Sequence, residues 1–215
     1  KTCSGPDSGA KCADCFISNN GVNTDAAGQV FLTELMDFRH RLHRAVFRGV
    51  DKVFFPTRYL MQKCIEYGFD EENLVYAPLG LPSKGFISTV PKRQDGMPLR
   101  FVCLGNIAAL KGMDLAVKAF RELEPSIEAS LEIWGRDGEP AYAQAVKALA
   151  NSDPRISFKG AYHPRQLPEI FSNADMLIFP SRSENYPTVI REALAFKVPV
   201  IAADVGGVGE IVEHG

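Results

Sequence analysis

The chain of 215 residues is short of several things that mark common functional classes. It has no excess of charge of one sign. Twenty-four basic and 26 acidic residues leave a net charge of −2, and residues 1–98 hold 12 basic and 11 acidic against 12 and 15 in residues 99–215. Neither half carries the basic excess on which nucleic-acid binding depends, so that class of partner is excluded. The longest apolar runs are of strand length, far below the roughly 20 residues of a membrane-spanning helix. The Gly-x4-Gly-Lys-Ser/Thr spacing of a Walker loop is missing, and so is Gly-x-Gly-x-x-Gly, which disfavours NAD. What remains is ordinary for a soluble globular chain: 46% hydrophobic and 23% charged residues, enough for one large or two small domains.

Residues 1–23 are rich in Gly, Ser, Asn and Asp and hold Cys3, Cys12 and Cys15. The Cys-x8-Cys-x2-Cys spacing admits a zinc or iron–sulfur knuckle with a fourth ligand elsewhere, His40 or His43 among the candidates. It equally admits an irregular loop with ordinary thiols or a disulfide, and three ligands do not close a structural site. A long helix is predicted over Asp25–Arg48, with Phe31, Leu35, Phe38, Leu42 and Val46 as an apolar stripe. Its other side carries Arg39, His40, Arg41, His43, Arg44 and Arg48. That side reads either as a solvated surface or as a basic face for an anionic membrane or an acidic acceptor. Strands follow at Asp51–Phe55 and Asn73–Ala77, with a helix between them that Thr57 caps and Gly68 closes. Residues 83–98 read as a linker.

From Leu99 strands and helices alternate. Strands are expected at Leu99–Leu104, Ser130–Trp134, Ile156–Phe158, Asp175–Phe179 and Val198–Ala202. Helical patterns lie between them, at Met113–Leu123, Tyr142–Leu149, Arg165–Phe171 and after Pro187. Five strands separated by helices imply an α/β domain with a parallel sheet covered on both faces, and in such sheets ligands bind beyond the carboxyl ends of the strands. The polar motifs fall at those ends. Gly105-Asn106 with Lys111-Gly112 offers backbone N–H groups, a helix start and an ammonium to an anion. Gly135-Arg136-Asp137-Gly138 and Gly160-Ala161-Tyr162-His163 end the next two strands; each reads as a plain turn or packing aromatic as readily as a ligand contact.

The stretch that organises the rest is Phe179-Pro-Ser-Arg-Ser-Glu184-Asn-Tyr186-Pro187-Thr188-Val189-Ile-Arg-Glu192-Ala-Leu-Ala-Phe196. It ends a buried strand, crosses a polar loop and opens a helix at Pro187 and Thr188. Glu184 lies in the loop and Glu192 about two turns into the helix. The free N–H groups between them suit a phosphate and the two carboxylates suit sugar hydroxyls.

Glu-x7-Glu, with the Pro-Ser before it and Ala-Leu-Ala-Phe-Lys-Val-Pro-Val-Ile-Ala-Ala-Asp-Val-Gly-Gly and Glu210-Ile-Val after it, resembles the donor-site signature of retaining GT-B glycosyltransferases of glycosyltransferase group 1 (family 4). The likeness runs from about Asp51 to Gly215. It implies a Rossmann-like GT-B donor domain over 99–215, cut short at its end. The remnant of an N-terminal acceptor domain over 1–82 would precede it, in a piece of a longer, cytoplasmic protein. It implies that Glu184 contacts the transferred sugar and Glu192 the ribose, and that backbone N–H groups around Tyr186 to Val189 meet the distal phosphate. It also implies that Lys111, with Gly105 before it, holds the diphosphate of a UDP- or GDP-sugar. No metal cofactor is required, and no Asp-x-Asp cluster is present. Tyr162 would flank the base. Asn106 departs from the family's usual Arg, and Arg136 is the candidate replacement for that cation. The implied acceptor is a carbohydrate, a lipid-linked molecule or a small molecule, with peripheral contact at the inner membrane face. A donor-binding relic and a sugar-nucleotide epimerase are the alternatives. The chain alone is expected to bind nucleoside diphosphates weakly and turn nothing over.

Overall fold

The computed structural model describes residues 8–81, 96–150 and 153–213. They fall into two compact units, one ending at Leu79 and the other beginning at Gly80. Cys3 and most of the expected linker lie outside the described residues.

The first unit opens with a helix, α1 (Gly9–Asn20), where an irregular loop was expected. Its composition hides good caps. The Ser8 side chain accepts the N–H of Lys11, and Gly21 ends the helix at φ 61°. It lies against α2 (Ala26–Arg48), capped by Asp25, and the Gly9 N–H donates to Asp37 Oδ1 at 2.8 Å. Cys12 and Cys15 therefore sit one turn apart on a helix. Among the described residues no three His, Cys, Asp or Glu side chains gather to hold a metal.

The packing face of α2 also differs from expectation. Phe31, Leu35, Phe38, Leu42 and Val46 are all exposed, and the buried positions are Met36 and His40. His40 is an interior residue, edge-on to Tyr67 with ring centroids 5.0 Å apart, and burial pushes its pKa down. It belongs to no solvated basic face. Beyond α2, β1 (Val53–Phe55) and β2 (Leu74–Tyr76) pair in parallel around α3 (Arg58–Glu66), which Thr57 caps. No helix among the described residues is long and apolar enough to cross a membrane.

The second unit is a five-stranded parallel sheet of β3 (Leu99–Leu104), β4 (Ala129–Trp134), β5 (Ile156–Gly160), β6 (Met176–Phe179) and β7 (Val200–Ala202). The spatial order is β5-β4-β3-β6-β7. The chain winds outward from β3 through β4 to β5, then returns to place β6 on the other side of β3. Strand alternation divides the apolar residues between two layers. Val102, Leu104, Leu177 and Phe179 join one core, with Ile190 and Ala193 of α7 (Thr188–Ala195) and Ile170 and Phe171 of α6 (Leu167–Ser172). Cys103, Leu131 and Ile133 join the other, with Ala116, Val117 and Phe120 of α4 (Met113–Arg121) and Ala143 and Val146 of α5 (Pro140–Ala150). After β7 the described chain forms a 3-10 turn, Val208–Glu210.

The amino ends of β3 and β6 are tied by charge. Asp175 Oδ2 accepts from the Arg100 N–H at 2.9 Å and from its Nε at 3.1 Å. This fixes the strand pair at the edge opposite the motif loops. Phe171 is fully buried and stacked on Phe196, with centroids 5.5 Å apart. Phe171→Ala is expected to cost about 3–5 kcal/mol. Urea unfolding followed by fluorescence of Trp134, the single tryptophan and part of β4, checks this within the second unit.

Candidate donor site

The winding of the sheet reverses between β3 and β6, so the helices after these two strands go to opposite faces, and it is at the carboxyl ends of strands at such a switch point that open α/β sheets bind ligands. Both loops carry charge to this place. The Lys111 ammonium meets Glu184 Oε2 at 2.6 Å, joining residues 73 apart in sequence. Glu184 Oε1 also accepts the N–H of Asn185 at 3.2 Å.

Local backbone explains how Lys111 arrives there. Ala109–Lys111 form a 3-10 turn that stops at Gly112, whose φ of 67° favours glycine. Gly112 also lies hard against the β6 loop: a Cβ at this position would sit 2.0 Å from the Pro180 carbonyl oxygen. The two loops touch too closely for any larger residue.

Asn106 and Arg136 come together as well. Arg136 Nε donates to Asn106 Oδ1 at 3.1 Å. The Ile107 N–H donates to the Arg136 carbonyl at 2.9 Å, and Gly138 returns a bond to the Ile107 carbonyl at 3.1 Å. Gly135 passes so near the Gly105 carbonyl that a Cβ would lie 1.8 Å from it. The glycine-bearing loops after β3 and β4 therefore run as one layer, with the guanidinium held at Asn106.

On the α7 side, Pro187 is the N-cap and makes no side-chain bond to the first turn, which begins at Thr188 and Val189. The Tyr186 ring receives the Arg191 guanidinium 5.1 Å from its centroid. Glu192 is half-buried, and the loss of water pushes its carboxyl above the ordinary 4.5. Tyr162 packs against the core beneath α7, and its hydroxyl is pushed up by burial and then by the Glu192 charge, which places the two side chains in one neighbourhood.

A further set of side chains gathers here that no spacing in the sequence announces. Arg182 makes a two-pronged bond to Asp114, with Nη1 to Oδ1 and Nη2 to Oδ2 both 2.8 Å, and the Tyr142 hydroxyl donates to Asp114 Oδ1. The Arg182 bonds hold the Asp114 carboxyl well below the usual carboxylate range and raise Arg182 in return.

The family model for glycosyl transferases group 1 matches residues 98–215. The chain belongs to that family. Among curated relatives, mannosylfructose-phosphate synthase of Agrobacterium fabrum is 25% identical over 199 residues, covering 83% of this chain and 44% of the relative. D-inositol 3-phosphate glycosyltransferase of Pseudarthrobacter chlorophenolicus is 32% identical over 160 residues, covering 69% and 38%. Of solved structures, Anabaena HepE in complex with UDP and glucose superposes with a TM-score of 0.69 at 21% identity, covering 82% of this chain and 51% of that one. Sucrose-phosphate synthase of Thermosynechococcus elongatus gives 0.68 at 21%, covering 80% and 45%. These likenesses establish the α/β GT-B fold, and the group 1 chain spans less than half the length of either curated relative.

A raised carboxyl has a signed consequence for stability. Below 4.5 Glu192 is protonated in the folded and unfolded chain alike; as pH rises through its folded value, ionisation in the half-buried site costs stability. Glu192→Gln removes that cost. The melting temperature of the variant should exceed the wild type's at pH 7, and the gap should close as pH falls below 4.5. Thermal melts across pH check this.

Proposed function

We propose that the protein to which this chain belongs transfers a sugar, with retention of configuration, from a nucleotide-sugar to an acceptor hydroxyl. The observation that carries the reading is the Lys111–Glu184 ion pair at the switch point of the sheet, beside the N-terminus of α7. In the reaction the bond between anomeric carbon and diphosphate oxygen breaks, and its electron pair leaves on the diphosphate. The acceptor oxygen bonds to the anomeric carbon and gives its proton to the departing diphosphate. Stabilising the departing charge is the main electrostatic task. Lys111 exchanges its contact with Glu184 for the diphosphate, and the first-turn N–H groups at Thr188 and Val189 take the distal phosphate. Glu184, released, accepts from hydroxyls of the transferred sugar. Glu192 accepts from the ribose hydroxyls, and Tyr162 flanks the base. Arg136, held on Asn106, supplies the second cation that Asn106 does not. Gly105 and Pro187 shape the loops that bear these groups.

A uridine or guanosine diphosphate sugar fits this reading, the former supported by the UDP bound in HepE. Activity on a lipid-linked acceptor finds support in a relative named for phosphatidylinositol monomannoside, at 28% identity over 189 residues. A sugar, a lipid-linked molecule or a small molecule can equally present the hydroxyl. We place the reaction in the cytoplasm, with peripheral contact at the inner membrane face if the acceptor is a lipid.

Calorimetric titration of the chain with UDP, GDP and ADP tests the reading. One of the three should bind, and Glu192→Ala should weaken it by about tenfold, or 1.4 kcal/mol. Unchanged affinity in Glu192→Ala contradicts the ribose assignment.

A further inference from the structure

We propose that Arg182 is a positioning residue, which sets Lys111 against Glu184 by clamping the loop after β3 to the loop after β6. The proposal rests on the donor-site reading for its functional consequence, but the clamp itself stands on geometry. Arg182 lies two residues before Glu184 and makes bonds on both sides of Lys111. Its N–H donates to the Leu110 carbonyl at 2.8 Å, and its Nη1 donates to the Ala109 carbonyl at 2.7 Å. The remaining fork grips Asp114, in the first turn of α4. Tyr142 of α5 fixes Asp114 from the other side, since its hydroxyl donates to the carboxylate and accepts the Asp114 N–H at 3.1 Å.

The turn that presents Lys111 is thus tied to one residue, Ala109 and Asp114 to its guanidinium and Leu110 to its backbone N–H. Only arginine has donors in a planar fork that satisfy a carboxylate and a carbonyl together; lysine is a point charge. The clamp also decides which carboxylate Lys111 meets. Asp114 is three residues from Lys111 but is occupied by Arg182, Tyr142 and Lys118, so the Lys111 ammonium goes to Glu184. Without Arg182, Asp114 keeps only the Tyr142 hydroxyl and the longer contact with Lys118 at 3.4 Å, and becomes an anion free to compete for the cation the diphosphate needs. A misplaced charge of this kind weakens ligand binding while leaving the sheet intact.

The test compares wild type, Arg182→Ala, Arg182→Lys and Tyr142→Phe in the 215-residue chain, with two readouts. The first is amide hydrogen exchange at Lys111, Gly112 and Arg182, whose N–H groups bond to Ala108, Ala109 and Leu110 across or within the clamped loops. In Arg182→Ala these amides should exchange about tenfold faster or more, while β4 is unchanged. Arg182→Lys should not restore them. The second is UDP titration, in which Arg182→Ala should weaken affinity by about tenfold and Tyr142→Phe by less. Unaltered exchange at the three amides overturns the clamp. Faster exchange throughout the second unit, or a local rise with UDP affinity unchanged, overturns the positioning role. If wild type binds none of UDP, GDP and ADP, the donor reading fails, and a local rise in exchange still establishes the clamp.

Discussion

The constraint on which the second unit depends is the reversal of winding between β3 and β6. Parallel strands deliver every following loop to the same edge of the sheet. Only at a reversal do two neighbouring strands send their helices to opposite faces, the usual place of a ligand in an open α/β sheet. Lys111 and Glu184, from the loops after these two strands, close on one another at 2.6 Å. Their pairing satisfies both charges in the chain as it stands. A partly exposed pair of this kind adds little stability, so the interest of the contact lies in placement.

Around it the loops pack by close approach. Gly112 against Pro180 and Gly135 against Gly105 bring backbone to within a distance that no side chain allows. At the far edge Arg100 and Asp175 hold the register of the same two strands. Glu192, half-buried in α7, is a further carboxylate whose ionised form is disfavoured where it stands by the loss of water.

Much of this was legible in the sequence, and the reason is periodicity. Leu99–Leu104 is apolar at every position but Arg100 because both faces of β3 are covered, and its limits match the strand. The helix start at Pro187 and Thr188 follows from proline's tolerance for a position with no N–H partner. The misreadings have equally local causes. Gly, Ser and Asn in residues 8–21 look like loop composition, yet Ser8 and Gly21 are the caps of α1, and its inward residues are as small as Gly9 and Ala13. In α2 the stripe from Phe31 to Val46 has the right spacing for a packed face, but spacing does not say what lies opposite; the structure turns Met36 and His40 inward instead. Arg182, Asp114 and Tyr142 carried no signal at all. Their partners are 68 and 28 residues away, and only the folded sheet makes them neighbours.

The residues near the switch point either form one ligand-binding surface or they do not. Chemical-shift mapping of the isotope-labelled chain during addition of UDP addresses that directly. The expected result is a contiguous set of shifted amides at Gly105–Gly112, Arg136, Glu184–Val189 and Glu192, with residues 8–79 still. Shifts confined to residues 8–79, or shifts at the Lys111 loop with none at Glu192, would contradict it.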